Sequence, residues 1–458
     1  MRIGIVGLGT MGRALAENLL DHGVEVAGWN LEPEATARLA KARPEFSPAT
    51  SLASLANTLS APRVVLLMVP AGEAVDATLD ELMAHLAAND IIIDAGNSHY
   101  EDTQKRATAA AMQGLRYVGL GVSGGENGAR HGPSMMFGGP ESAWEELREP
   151  LTRIAAQSEY GACVTRVGPA PAGHFVKMLH NGIEYADMQL IAEAYDLLLR
   201  GRQLAPDAIA ERFERWNRGP LQSFLIELTA RVLKHTDAAT GEPLVTQILD
   251  QAGQKGTGRW SIHAALTLGI AAPTIGAAVD ARLLSAHKAP RQQHAAHYNA
   301  SPAALDLTDE ELESALLTAK LFAYAQGFHL LSAASDAFDW SLELAAIARV
   351  WTGGCIIRAA LLAPIMEVHS DAATPTELML SQYAQALVAQ HLEALRSVVA
   401  KAQTSGLPVP ALSASLSWYD ALRSSTLPQN LIQAQRDAFG HHGFTRTATP
   451  DRTQHHKW

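Results

Sequence analysis

The densest chemistry in the sequence lies in Gly173-His174-Phe175-Val176-Lys177-Met178-Leu179-His180-Asn181-Gly182-Ile183-Glu184-Tyr185. On a helix, at about 100° per residue, Asn181 falls about 40° to one side of Lys177, with Glu184 about 20° and His180 about 60° to the other. Four polar groups then share one narrow stripe, while Met178, Leu179 and Ile183 face other directions and can pack. About 10 Å of helix axis separates Lys177 from Glu184, so two long side chains can reach opposite ends of one bound small molecule. A lysine acts as general base only when burial or neighbouring cations lower its pKa, and a glutamate as general acid only when its pKa is raised. The plainer reading is a solvated helix face or a buried Lys–Glu pair. The glycine-rich run ahead of the stripe, and the presence of both His and Asn on it, favour catalysis.

A second cluster, Gly7-Leu8-Gly9-Thr10-Met11-Gly12, is G-x-G-x-x-G directly after the apolar strand Arg2–Val6 and at the opening of a helix expected over Thr10–His22. Its glycines allow a tight turn and close approach of a pyrophosphate, whose charge the helix N-terminus attracts. The next strand, Val24–Trp29, runs into Asn30-Leu31-Glu32. An acidic residue there favours the ribose 2′-hydroxyl of NAD, and an arginine would favour the 2′-phosphate of NADP. No arginine follows Asn30, Glu32 and Glu34 would repel a phosphate, and Arg13 and Arg38 stand elsewhere, so charge alone favours NAD.

Three further segments offer polar groups. Asp94-Ala95-Gly96-Asn97-Ser98 follows a strand, at the sheet edge where ligands of open α/β folds bind. Val122-Ser123-Gly124-Gly125-Glu126 presents backbone N–H groups and a hydroxyl, as a carboxylate requires. Gln254-Lys255-Gly256-Thr257-Gly258-Arg259 is a basic, glycine-bracketed turn suited to a phosphate, whose plainer reading is a surface loop. Arg282, taken alone, is more often a salt-bridge partner than a ligand. The histidines at 287, 294, 297, 441, 442, 455 and 456 form no coherent ligand set, so no metal is expected.

These groups need elements to hold them. Strand-like Ile/Val/Leu runs (Arg2–Val6, Val24–Trp29, Val64–Val69, Ile91–Asp94) alternate with helical segments through the first 175 or so residues, which implies a parallel, doubly wound sheet. From Lys177 to about Leu431 the texture is Ala/Leu-rich and helical, as in Lys177–Leu199, Glu311–Ala334 and Pro375–Ala402. A faint echo lays Tyr185–Ala194 over Tyr324–Ala333, with Ala323 where the first copy has Glu184. The expected organisation is a Rossmann-like α/β domain over 1–176, an all-helical domain over 177–434 and a polar tail over 435–458. At about 150 residues per domain, 458 residues agree with two or more.

Lys+Arg of 36 against Asp+Glu of 47 gives a net charge of −11, and no basic run argues for nucleic acid. An anionic substrate must then meet a local basic cluster. Two cysteines, Cys163 and Cys355, exclude a disulfide scaffold and fit a reducing compartment. The opening MRIGIVGLG has no charged leader or long apolar stretch, and no apolar run is long enough to cross a bilayer, so a cytoplasmic protein is expected.

Taken together, GLGTMG (7–12), IIIDAGNS (91–98), GVSGGENGARHGPSMM (121–136), HFVKMLHNGIEYADMQLIAEAYDLL (174–198), DQAGQKGTGRW (250–260), GGCIIRA (353–359) and NLIQAQRDAFGHH (430–442) closely resemble the decarboxylating 6-phosphogluconate dehydrogenase family, over nearly the whole chain. The resemblance implies a homodimer whose tail enters the partner's site. It implies oxidative decarboxylation of 6-phosphogluconate to ribulose 5-phosphate, with NADP as the usual coenzyme. Lys177 is then the base at the C3 hydroxyl, Glu184 the acid at C1, and Asn181 a catalytic partner. Asn97, Ser123, Gly124, Gly125, His180 and Asn181 hold the sugar acid. Tyr185, Lys255, Thr257, Arg282 and the tail's Arg436 and His442 surround its phosphate end. Gly7 to Gly12, Asn30 to Glu32, Val69-Pro70-Ala71 and Asn97 line the coenzyme. Three positions depart from the family pattern: Leu31 replaces its usual Arg, Pro70 a usual Lys and Ala95 a usual Gly. All three border the coenzyme, so they bear on coenzyme choice and leave the reaction in place. Two other readings are weaker. A 3-hydroxyacid dehydrogenase of the related superfamily would lack the large helical extension and the HNGIEY block, and a non-catalytic coenzyme-binding regulator would lack Lys177 or Glu184.

Overall fold

The computed structural model describes residues 1–254, 256–298, 303–370 and 377–458. The continuous apolar runs form strands buried on both faces, as a sheet covered by helices on either side demands. β1 (Arg2–Val6), β2 (Glu25–Trp29), β3 (Ser47–Pro48), β4 (Val64–Leu67), β5 (Ile91–Asp94), β6 (Arg116–Ser123), β7 (Ser134–Gly138) and β8 (Val164–Gly168) make one sheet in the order β8-β7-β6-β5-β4-β1-β2-β3. All neighbours in it are parallel except β6 and β7. Chain direction across the sheet reverses between β1 and β4, and the Gly7–Gly12 loop leaves β1 at that switch point.

The helices that matter to the site are α1 (Thr10–Asp21), α2 (Glu73–Leu82), α3 (Tyr100–Met112), α4 (Gly125–His131), α5 (Ala170–Asp196), α6 (Thr257–Thr267), α7 (Pro273–Ala286), α8 (Asp309–Phe338), α9 (Gln382–Thr404), α10 (Pro410–Leu422) and α11 (Gln429–Gly440). From α5 onward the described chain is helical apart from a short terminal hairpin, β9 (Phe444–Arg446) with antiparallel β10 (Thr449–Gln454). The α/β unit followed by a large helical unit is the expected fold class. The 176/177 division falls inside α5 and the 434/435 division inside α11, because neither helix carries a break there. The expected helix from Pro375 is seen as Gln382–Thr404; residues 371–376 lie outside those described.

Helix α5 is the axle of the molecule. Every residue from Ala170 to Ile183 is buried, so the helix has no solvated face over its first half and the plain reading of its polar stripe fails. Small residues let it sink so deep. A Cβ on Gly173 would lie 2.0 Å from the Gly119 carbonyl oxygen, and one on Gly121 would lie 2.5 Å from the Lys177 Cβ. Strand β6 and helix α5 therefore touch backbone to backbone, which sets Lys177 beside the end of the sheet. On its other sides, Gly182 meets Ser261 of α6, whose hydroxyl donates to the Met178 carbonyl at 2.9 Å, and Ile183 fills the notch at Gly327 of α8. Tyr100 of α3 and Phe175 of α5 stack edge to face at 5.0 Å, and Trp340 joins Phe175 at 5.3 Å. Each such pair adds about 1 kcal/mol to the join between sheet and helical units.

Candidate active site

The glycine loop is shaped as a dinucleotide cradle. Gly7 adopts φ 92°, and a Cβ there would strike the Met68 carbonyl oxygen at 2.4 Å. A Cβ on Gly12 would come within 1.9 Å of the Gly7 carbonyl oxygen, whereas Gly9 has nothing within 4 Å and leaves room for a ligand against the backbone. The Asn30 side chain locks the loop: its Oδ1 accepts from Leu8 N at 2.7 Å. Its Nδ2 donates to a Glu32 carboxylate oxygen at 2.8 Å, which holds that charge at the end of β2. Leu31 is exposed. Thr10 and Met11 open α1 above the loop.

Across the switch point Val69 is half-buried while Pro70 and Ala71 are exposed, and a Cβ on Gly96 would lie 3.2 Å from the Val69 carbonyl oxygen. The loops after β4 and β5 are thus in contact, with Asn97 exposed at the tip of the second and Ala95 buried at its base. One residue that sequence reasoning missed ties them together. Arg106 of α3 is buried and donates to Asp76 at 2.7 Å, to the Gly72 carbonyl at 3.1 Å and to Ser98 Oγ at 3.2 Å. Ser98 and Tyr117 in turn donate to the Asp94 carboxylate at 2.6 and 3.1 Å. No spacing rule links positions 72, 76, 98 and 106, so no local signal could have found this fork.

The predicted stripe on α5 is assembled as a hydrogen-bonded cluster. Lys177 Nζ donates to Asn181 Oδ1 at 2.7 Å and lies 3.3 Å from His180 Nδ1. The other ring nitrogen of His180 is 3.1 Å from Ser123 Oγ, at the end of β6. Nδ1 also lies 3.1 Å from Asn181 Oδ1, which can only accept, so a neutral His180 that donates from Nδ1 to Asn181 and accepts at Nε2 from the Ser123 hydroxyl satisfies both contacts, a tautomer inferred from the network. A Glu184 carboxylate oxygen stands 3.8 Å from Nδ1. Burial pushes the Lys177 amine down, with the Glu184 charge opposing, and burial pushes the Glu184 carboxyl up, with Lys177 and Arg282 opposing. His180 is held well below the usual histidine range by burial and by Lys177. The direction of every shift is the one that base and acid roles require.

Asn181 Oδ1 takes one Lys177 N–H, and the lowered pKa favours the uncharged amine, whose lone pair can take up a substrate proton. Beside the cluster, Ser123 gives way to Gly124 at φ 117° and Gly125 at φ 62°, opening α4. A Cβ on Gly124 would lie 2.5 Å from the Gly354 carbonyl oxygen, so this turn is pressed against the GGCIIRA segment.

At the far end of the stripe, the Arg282 guanidinium of α7 stacks on the Tyr185 ring at 3.5 Å. Tyr185 packs on Gly258, where a Cβ would lie 2.4 Å from the ring, and Thr257 is buried at the start of α6 after Gly256 at φ 96°. Lys255 lies outside the described residues. Arg282, which taken alone reads as a salt-bridge residue and by resemblance as a phosphate ligand, makes no ion pair among the described residues and turns a cation toward the Tyr185–Glu184 end of α5.

Arg436 and His442 are exposed on the tail, and among the described residues no hydrogen bond or ion pair joins them to Lys177. Among the described residues, one group of three potential metal-ligating side chains occurs: Asp437, His441 and His455. The Asp437 carboxylate already accepts from Gly443 N, His455 Nδ1, His456 N and Trp458 Nε1, which occupies the lone pairs a cation would need. No helix among the described residues is long and apolar enough to cross a membrane.

Comparison with known proteins agrees with this geometry. The family described as "NAD binding domain of 6-phosphogluconate dehydrogenase" matches residues 2–168, and "6-phosphogluconate dehydrogenase, C-terminal domain" matches 173–458. The Bacillus subtilis NADP(+)-dependent, decarboxylating 6-phosphogluconate dehydrogenase is 43% identical over 97% of each chain. A Saccharomyces cerevisiae decarboxylating 6-phosphogluconate dehydrogenase is 45% identical over 96% of this chain and 92% of its own. The Plasmodium falciparum enzyme, solved apo, with NADP+ and with 6-phosphogluconate, superposes with a TM-score of 0.96 at 38% identity over the full length of both chains.

Proposed function

The chain belongs to the 6-phosphogluconate dehydrogenase family and catalyses the oxidative decarboxylation of 6-phosphogluconate to ribulose 5-phosphate and CO₂, and we propose that Lys177 and Glu184 handle the protons of that reaction. The observation that carries the assignment is the Lys177 amine, buried among neutral partners on the helix that also bears Glu184. Lys177 takes the C3 hydroxyl proton; a nicotinamide held against the Gly7–Gly12 loop would supply the hydride acceptor for C3. The 3-keto acid then loses CO₂, since the new carbonyl draws the electrons of the breaking bond. Lys177 returns its proton to the C3 oxygen to give the enediol; protonated Glu184 then delivers a proton to the carbon that lost CO₂, C1 of the pentulose, while Lys177 takes the hydroxyl proton back and leaves the ketone. Asn181 and His180 orient the amine, and Ser123, Gly124, Gly125 and Asn97 receive the sugar acid.

Tyr185, Thr257, Arg282 and Lys255 surround the phosphate, completed by Arg436 and His442 from a second subunit of a homodimer. Lys255, Arg282 and Arg436 then form the basic cluster that an acidic chain needs for an anionic substrate. This divides the chain into a coenzyme unit over 1–176, a helical substrate and dimer unit over 177–434 and a reaching tail over 435–458, in a cytoplasmic enzyme of the pentose phosphate pathway.

The residues that face the coenzyme fit a nicotinamide dinucleotide: the open face at Gly9 admits the pyrophosphate and the α1 N-terminus opposes its charge. Between the two forms we favour NAD. Asn30 holds the Glu32 carboxylate at the end of β2, where an acidic residue favours a ribose 2′-hydroxyl over a 2′-phosphate, and Leu31 and Pro70 stand where the resemblance would put compensating cations. The test is absorbance of the reduced nicotinamide on adding 6-phosphogluconate with each coenzyme. A higher kcat/KM with NAD is expected, and a strong NADP preference would mean that Glu32 turns away. Silence with both coenzymes would contradict the activity itself.

A further inference from the structure

The tail holds a buried carboxylate that this chemistry does not use. Asp437 is fully buried, while most of α11 around it is exposed. Its Oδ1 accepts from Gly443 N at 2.9 Å and His455 Nδ1 at 2.8 Å; its Oδ2 accepts from His456 N at 3.0 Å and Trp458 Nε1 at 2.8 Å. Four donors, three of them from the last four residues, close on one side chain. Hydrogen bonds to an ionised acceptor are the stronger kind, so the terminal segment is gathered onto α11 by charge rather than by apolar burial.

The two proposed substrate contacts flank this knot and are oriented through it. Arg436 precedes Asp437, and its Nη1 donates to Gln433 Oε1 at 3.2 Å. The Gln433 amide donates in turn to the carbonyl of Gly443, the residue whose N–H reaches Asp437. His442 follows His441, which caps α11 in the left-handed conformation at φ 54°. The His442 ring lies over Gly440, where a Cβ would come within 2.7 Å of it. The helix end, the reversal at His441 and the hairpin therefore share one anchor.

We propose that Asp437 is a positioning residue for the reaction, a latch that collects His455, His456 and Trp458 and so fixes the directions in which Arg436 and His442 leave the tail. The inference rests on the reading that Arg436 and His442 bind the substrate of a neighbouring subunit. It gives the last residues of the chain a task in substrate affinity although none of them need touch substrate.

The test is steady-state kinetics of the full-length enzyme, with subunit assembly followed by light scattering. Asp437→Asn keeps the shape but turns an NH₂ group toward two of the four donors. It is expected to raise KM for 6-phosphogluconate about tenfold, with KM for the coenzyme within about twofold and assembly intact. Trp458→Phe removes one N–H and keeps an aromatic ring, with an expected rise of about threefold in the same constant alone. Arg436→Ala reports on the underlying reading. If Arg436→Ala raises KM for 6-phosphogluconate and neither latch variant does, the latch is overturned and the reading stands. If Arg436→Ala leaves that constant unchanged, reading and latch fall together. Should Asp437→Asn not fold, Trp458→Phe decides. A uniform loss in kcat and in both KM values would mark Asp437 as structural only and would likewise overturn the proposal.

Discussion

Among the described residues two lysines are buried, on two neighbouring long helices, and they have opposite fates. Lys320 of α8 is fully buried and donates to the Asp187 carboxylate of α5 at 2.6 Å, with Ser223 Oγ at 3.5 Å. Lys177, ten residues upstream of Asp187, is nearly as buried, but its hydrogen-bond partners are an amide oxygen and an imidazole nitrogen. One amine meets a charge that compensates its own. The other meets a neutral amide oxygen and a neutral imidazole, and burial pushes its pKa down. The difference teaches that burial alone does not make a lysine a base; the charge of its immediate partner decides between a fastener and a reagent. Asp187 also acts on Glu184, because its charge adds to the burial that raises the Glu184 carboxyl.

Substituting methionine for each lysine should sharpen this contrast most. Lys177→Met is expected to lower kcat by about a thousandfold, as loss of a positioned base does. Its unfolding free energy should stay within about 1 kcal/mol of the parent, since relief of amine desolvation offsets two lost hydrogen bonds. Lys320→Met leaves the Asp187 carboxylate buried without a partner and should lose about 3–5 kcal/mol of stability, while the folded fraction keeps turnover within a few-fold. Steady-state assay and denaturant unfolding of the two variants check both halves. Comparable loss of stability in both would break the distinction.

Glu184→Gln comes next, with an expected loss of about a hundredfold in turnover. Its pH profile carries the sign. A raised Glu184 donates its proton only below that raised pKa, so activity falls as pH rises through it, and a lowered Lys177 accepts only above its own pKa, so activity falls as pH drops through that. The alkaline limb should flatten in Glu184→Gln while the acid limb remains. A profile unchanged in shape would remove Glu184 from the proton path. The smallest effect belongs to the coenzyme end, where Glu32→Ala should narrow the preference for NAD over NADP by about tenfold, a change of about 1.4 kcal/mol.

What could be read from sequence, and what could not, divides along the same line between local and distant contacts. The stripe of Lys177, His180, Asn181 and Glu184, and the glycine cradle at Gly7 to Gly12, follow from spacing within one element, and the structure assembles them as the periodicity requires. The depth of α5 was not legible. It comes from Gly119 and Gly121 of β6 meeting Gly173, positions about 50 residues apart whose only signal is the absence of a side chain. The Arg106 fork and the Asp437 latch stayed hidden for the same reason, since their partners are set by tertiary folding. Arg282 shows what a lone residue cannot tell: taken alone, an arginine near an aspartate reads as an ion pair, yet the structure stacks it on the Tyr185 ring and places it by the Gly253 carbonyl and Met188 Sδ. The echo of Tyr185–Ala194 in Tyr324–Ala333 falls on the two helices that carry the two buried lysines. Only the first of those helices sets its lysine among neutral partners.

The central claim is that the Lys177 amine is uncharged when it meets substrate, and titrating it directly tests this. With lysine side chains labelled and the Lys177 resonance assigned by its loss in Lys177→Met, magnetic resonance across pH should show that amine titrating below the ordinary lysine range of about 10.4. An amine at position 177 that holds its proton up to the ordinary value would contradict the account.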